Sequence, residues 1–253
     1  VLFCRGVPRW SEGIIAIEPG WVAQDDAAAA GPFGGARSRA ASLPLRPLLA
    51  TALFYLVLAV GLSVAVARSG TFALDLRVTQ AVQRHPFPGS RFIELFGYAI
   101  GSSAVLIPLG IAAAFWLFVR RRPDIAWLFV GVLLLRPLNT LLKAIIESPR
   151  PSAAQVDVLR ESGGNGFPSG HVTGTVLMAG VVFYLAPAIA APRGGGAVLR
   201  ALAVVAVVAT CYSRVASGAH WPTDVVGGLL WGGAQLLALV AAVNWLHRRS
   251  TTD

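Results

Sequence analysis

The sequence predicts an all-α fold, a polytopic membrane bundle of six transmembrane helices. Three observations lead there. Of the 253 residues, 55% are hydrophobic and only 13% charged, where a soluble domain is about a quarter charged. The mean hydropathy is +0.66. The apolar residues also gather into six blocks, each near the ~20 residues that a helix needs to cross a bilayer. The chain is long enough for one bundle and too short for a second large domain.

In chain order, residues 1–42 hold Gly, Pro, Ala, Asp and Arg without a lasting period. They contain no apolar core of signal-peptide type. They read as a disordered cytoplasmic N-terminal tail ahead of a membrane domain over 43–249. The apolar blocks run over 45–67, 93–119, 125–146, 171–191, 197–213 and 223–246. The second is long and the fifth short, so tilted spans are expected. The stretch 68–92, with Arg77, Arg84 and His85, reads as a loop that shapes headgroup access. Gly97 and Gly101, Gly170 and Gly174, and Gly228 and Gly232 recur at four-residue spacing. In membrane helices such pairs allow close backbone approach, and chance is the competing reading in a glycine-rich chain. Arg136 falls near the middle of the third span. An intramembrane charge is a functional hypothesis: it lines a headgroup path, pairs with Glu94 or Glu147, or makes a packing contact, and it stays outside the site set. Cys4 and Cys211 are too isolated for a disulfide or a metal site.

The net charge of +9 does not point to nucleic acid, because the arginines are scattered between apolar blocks and form no stripe. They fit helix-end anchors. With six spans, the ends of the third and fifth and the starts of the fourth and sixth share one membrane face. The opposite face carries Arg37, Arg39, Arg46, Arg120, Arg121, Arg122, Arg193, Arg200, Arg248 and Arg249. The shared face carries Arg68, Arg77, Arg84, Arg91 and Arg160 besides the motif cations. The positive-inside rule then puts both termini in the cytoplasm of a multi-pass protein of the cytoplasmic membrane, with the shared face outward.

That face collects a three-part pattern. Lys143, the only lysine beside twenty arginines, precedes Arg150-Pro151 by seven residues. Pro168-Ser169-Gly170-His171 follows at the start of the fourth span, then Ser213-Arg214, His220 and Asp224. A compact ammonium suits a place that a planar fork does not fit. The free N–H groups at the start of the fourth helix make an anion site. Ser169 is placed to N-cap that helix, and Gly170 leaves room for a phosphate to approach the backbone. Lys143, Arg150 and Arg214 would surround the remaining oxygens. Read alone, the Pro-Ser-Gly-His turn is equally an ordinary capped turn, and the arginines snorkelling residues. Asp224 lies one turn after His220, where a carboxylate can fix the imidazole tautomer and free the other nitrogen for attack. His171 can protonate a leaving oxygen. His85 and His247 lack partners in sequence and receive no role.

These eleven identities, in order and with their internal spacings, resemble the signature of the type 2 phosphatidic acid phosphatase superfamily, in its membrane lipid phosphatase branch. Residues 1–42 lie outside the resemblance. It implies a metal-independent phosphohydrolase that needs no cofactor and works through a phosphohistidine. It implies His220 as nucleophile, Asp224 as its orienter and His171 as general acid, with Lys143, Arg150, Ser169, Gly170 and Arg214 binding phosphate. The expected partner is a lipid phosphate or diphosphate in the membrane: phosphatidic acid, phosphatidylglycerol phosphate or a polyprenyl diphosphate. Two rival readings remain: a phosphotransferase using the same intermediate, and a non-enzymatic lipid-binding or transport protein, which has no use for the histidine pair. The soluble haloperoxidase branch is at odds with six apolar spans.

Overall fold

The computed structural model describes residues 44–160, 163–189 and 195–249. The tail expected over 1–42 lies outside them. The described residues form an all-helical molecule: α1 Leu45–Ser69, α2 Ala73–Arg84, α3 Ser90–Gly101, α4 Ser103–Val119, α5 Pro123–Ile146, α6 Gly170–Ile189, α7 Gly195–Ala216 and α8 Pro222–Arg249. The chain is a multi-pass membrane protein. Five helices, α1 and α5 to α8, are long and apolar enough to span. Helices α3 and α4 together make a sixth crossing, bent by 51°.

Two sequence expectations need correction. The long second block is a broken span, where one tilted helix was expected. Ser102 takes extended backbone angles between α3 and α4, and its hydroxyl donates to Ala99 O at 2.8 Å. A serine that bonds its own backbone in this way competes with the helix. The stretch 68–92, expected as a loop, contains α2. That helix is too short and polar to cross a membrane, and its buried residues are Asp75, which bonds Thr223 on α8, and Thr79, whose hydroxyl bonds Asp75 O within the same helix.

The glycine pairs are packing sites. A Cβ on Gly97 would fall 2.1 Å from Ala209 O, and one on Gly101 2.8 Å from Thr210 Cγ2, so α3 lies directly on α7. A Cβ on Gly228 would meet Val172 Cβ at 2.9 Å, and one on Gly232 Val176 Cβ at 2.9 Å, which seats α8 on α6. The second contact, together with the packing of α6 along α7, brings the ends of α6, α7 and α8 together. The main apolar core joins α4, α5, α6 and α8 through Leu117, Leu128, Val132, Val181, Leu185 and Val240, in the half away from those ends. A smaller cluster of Val66, Ile146 and Phe167 sits beneath them.

Candidate active site

The motif residues converge at one end of the bundle, where polar contacts replace the apolar core. Pro222 opens α8, a position where its missing N–H costs nothing. Asp224 Oδ2 accepts the Trp221 backbone N–H at 3.0 Å, the back-bond of a helix-capping residue. The same oxygen lies 3.2 Å from His220 Nδ1. One carboxylate therefore starts the helix and orients the ring. Both side chains are buried, at 4% and 0% exposure.

The other ring nitrogen, His220 Nε2, lies 3.2 Å from Arg150 Nη1. Arg150 is anchored through Nη1 to Ala219 O at 2.7 Å and through Nε to Gly164 O at 2.9 Å. Burial and the cations Arg150, Lys143 and Arg214 push the His220 pKa well below the usual histidine value, since each disfavours the imidazolium. Lys143 Nζ donates to Asn165 O and Gly166 O, both at 2.7 Å. Gly166 in turn packs on Asp224, for a Cβ there would meet Oδ2 at 2.7 Å.

Ser169 N–H donates to Asp224 O at 2.9 Å, tying the start of α6 to the start of α8. The expected Ser169 side-chain cap is not formed. Its hydroxyl is fully buried and has no hydrogen-bond partner among the described residues, while Thr173 N–H bonds the Ser169 carbonyl. Gly170 is also explained differently from the expectation. Its Cβ position is taken by Asn139 Nδ2, 3.0 Å away. His171 Nε2 and Arg214 Nε are likewise buried without a partner among the described residues. Buried polar atoms are nearly always bonded. Three that lack partners around the dyad, Ser169 Oγ, His171 Nε2 and Arg214 Nε, suit a tetrahedral anion with several acceptor oxygens, while a fourth, Asp224 Oδ1, is itself an acceptor.

Sequence reasoning missed several supporting residues. Tyr98 on α3 stacks on the His171 ring with centroids 5.7 Å apart, and the Arg214 guanidinium lies 5.0 Å from its centroid. Asp75 on α2, 2% exposed, accepts from Thr223 N at 2.9 Å and Thr223 Oγ1 at 2.8 Å, next to Asp224. Asn139, one helical turn before Lys143, accepts from Thr173 Oγ1 at 3.1 Å. Only Asn139 carries a sequence signal, as an amide within an apolar span on the Lys143 side. Arg136 donates to Ser103 Oγ at the α3–α4 break and packs on Gly174. Glu94, one of its expected partners, is instead held by Arg91 and Arg160. Among the described residues no group of three or more His, Cys, Asp or Glu side chains is arranged to hold a metal ion.

The PAP2 superfamily model matches residues 124–248. No curated protein matches the chain. Among solved structures, the chain is similar to a transmembrane PAP2-type phosphatidylglycerolphosphate phosphatase from Bacillus subtilis, with a TM-score of 0.64 and 22% identity, over 74% of this chain and 93% of that one. It is also similar to LpxE of Aquifex aeolicus, with a TM-score of 0.49 and 24% identity, over 72% of this chain and 98% of that one. The first likeness shows the fold.

Proposed function

We propose, from the match of residues 124–248 to the PAP2 superfamily model, that this chain is an integral membrane lipid phosphatase working through a phosphohistidine on His220. The observation that carries the reading is the buried dyad. Asp224 occupies Nδ1 of His220, which leaves Nε2 beside the Arg150 guanidinium as the one ring atom able to attack a phosphorus.

The chemistry follows from the contacts. Lys143, Arg150 and Arg214, with the Ser169 hydroxyl and the first N–H groups of α6, hold the phosphate. Gly170 allows Asn139 to approach that turn. His220 Nε2 forms a bond to phosphorus as the P–O bond to the lipid breaks. The electron pair leaves on the lipid oxygen, which takes a proton from His171. Asp224 stabilises the charge that develops on the ring. Water, deprotonated by His171, then attacks the phosphohistidine and releases phosphate. Preorganised cations stabilise the transferring group, a task otherwise given to a metal ion, and we propose that none is required. The membrane domain is assigned to 43–249, and the active site to the outer face.

The substrate classes that fit are phosphatidic acid, phosphatidylglycerol phosphate and polyprenyl diphosphates. A lipid is supported by an apolar cleft of about 830 Å³ between α1, α6, α7 and α8. It begins at Val176 and Leu229, five residues along the same helices from His171 and Asp224. The test is phosphate release by the purified protein from each lipid, with and without EDTA. Release that survives EDTA is expected. Complete loss restored by Mg²⁺ would overturn metal independence, and no release from any lipid would overturn the phosphatase reading.

A further inference from the structure

Beyond the motif cations, the site has one more guanidinium on its rim. Arg160 lies in the chain between α5 and α6, with its side chain 26% exposed. Its Cζ stands 4.0 Å from the centroid of the Tyr98 ring, the ring that also contacts Arg214 and His171. Its Nε donates to Glu94 Oε1 at 3.2 Å. Its two terminal amino groups make no hydrogen bond among the described residues. Glu94, only 3% exposed, also accepts from Arg91 Nη1 at 2.6 Å. One carboxylate thus serves two guanidiniums, and the cluster keeps a net positive charge. An arginine laid on an aromatic face with its fork edge open is preorganised for phosphate oxygens.

Its position gives it a role. Under the phosphatase reading, on which this inference rests, His171 protonates the leaving oxygen and so marks the leaving-group side. Arg160 borders that side across Tyr98. The leaving group of phosphatidic acid is a neutral alcohol and brings no anion there. A leaving group with its own phosphate brings one.

We infer that Arg160, oriented by Glu94 and Tyr98, is a second anion subsite that holds a phosphate within the leaving group, so that lipids with two phosphates are preferred over phosphatidic acid. Two sources share this chemistry: a diphosphate, where the second phosphate is bonded directly, and phosphatidylglycerol phosphate, where a glycerol separates the two.

The experiment compares kcat/KM for wild type and Arg160→Gln on a polyprenyl diphosphate, phosphatidylglycerol phosphate and phosphatidic acid in mixed micelles. Losing a charge-assisted contact should cost about ten- to a hundredfold on one or both two-phosphate lipids, and far less on phosphatidic acid. The lipid that loses more identifies the spacing the subsite reads. Equal losses on all three lipids, or no loss on any, overturn the inference. Arg160→Lys retains the charge and an ion pair for Glu94 while removing the fork. It should narrow the preference in the same direction, and it carries the test if the glutamine variant does not fold. An unchanged preference in Arg160→Lys, with the glutamine variant unfolded, also overturns the subsite. Wild-type protein inactive on all three lipids overturns the phosphatase reading and this inference with it.

Discussion

At the residue scale, the proposed reaction rests on keeping His220 neutral and aimed. Burial and its cationic neighbours lower its pKa, so the attacking form persists as pH falls below about 6.5, the ordinary histidine value. Activity is then lost only as pH drops through the depressed value. Arg150→Gln removes a cation 3.2 Å from Nε2, so the acid limb should move toward neutral pH as overall activity falls. A pH–rate series checks both. His220→Ala should abolish the phosphoenzyme trapped by acid quench. His171→Ala should slow lipid turnover by ~10² to 10⁴, and less for an aryl phosphate, whose leaving group needs little protonation. Label still trapped at a histidine in the His220 variant would move the nucleophile to His171.

At the element scale, glycine contacts help set where the helix ends of the proposed site stand. Gly97→Ala puts a methyl 2.1 Å from Ala209 O, a backbone atom that moves only with α7. Overpacking of this kind costs about 1–3 kcal/mol. It should also shift Tyr98 on His171, so thermal stability in detergent and kcat should fall together. Gly61→Ala is the control. Nothing stands within 4 Å of its Cβ position in α1, and replacing a helical glycine gains up to about 1 kcal/mol. Equal melting temperatures for the two variants would remove close packing as the reason for Gly97. The turn after α5 has its own constraint. Glu147 sits at φ 51°, a left-handed conformation favourable to glycine. Its N–H closes the helix on the carbonyl oxygen of Lys143 itself, at 3.2 Å.

At the scale of the whole molecule, the arginine asymmetry predicts an orientation for the bundle. A reporter fused after Arg249 should score as cytoplasmic, and one inserted near Gly164, beside Arg150, as external. The reverse pattern would turn the site to the inner face and change which leaflet supplies the lipid. The division of the molecule follows the same axis. The half away from the site is held by apolar contacts such as Leu128 with its core neighbours. The site end is held by hydrogen bonds that Asp75 accepts and that Arg150 and Lys143 donate. A phosphate-binding end needs cations and exposed N–H groups, which an apolar core cannot supply.

Amino-acid order alone determined the spans, the shared end and the eleven motif identities. Hydropathy over ~20 residues and motif spacing are local properties, and an even number of spans between two segments returns them to one side. It did not determine the break at Ser102 or the helix over 73–84, because each depends on polar side chains bonding where apolar periodicity was the signal. Nor did it determine the residues around the dyad. Asp75 meets Thr223 across 148 positions, and Glu94 meets Arg160 across 66. Tyr98 reaches His171 because α3 rests on α7 at two glycines. Such partners are chosen by proximity in space, and proximity in space is set by the packing of helices, which no short window of sequence contains.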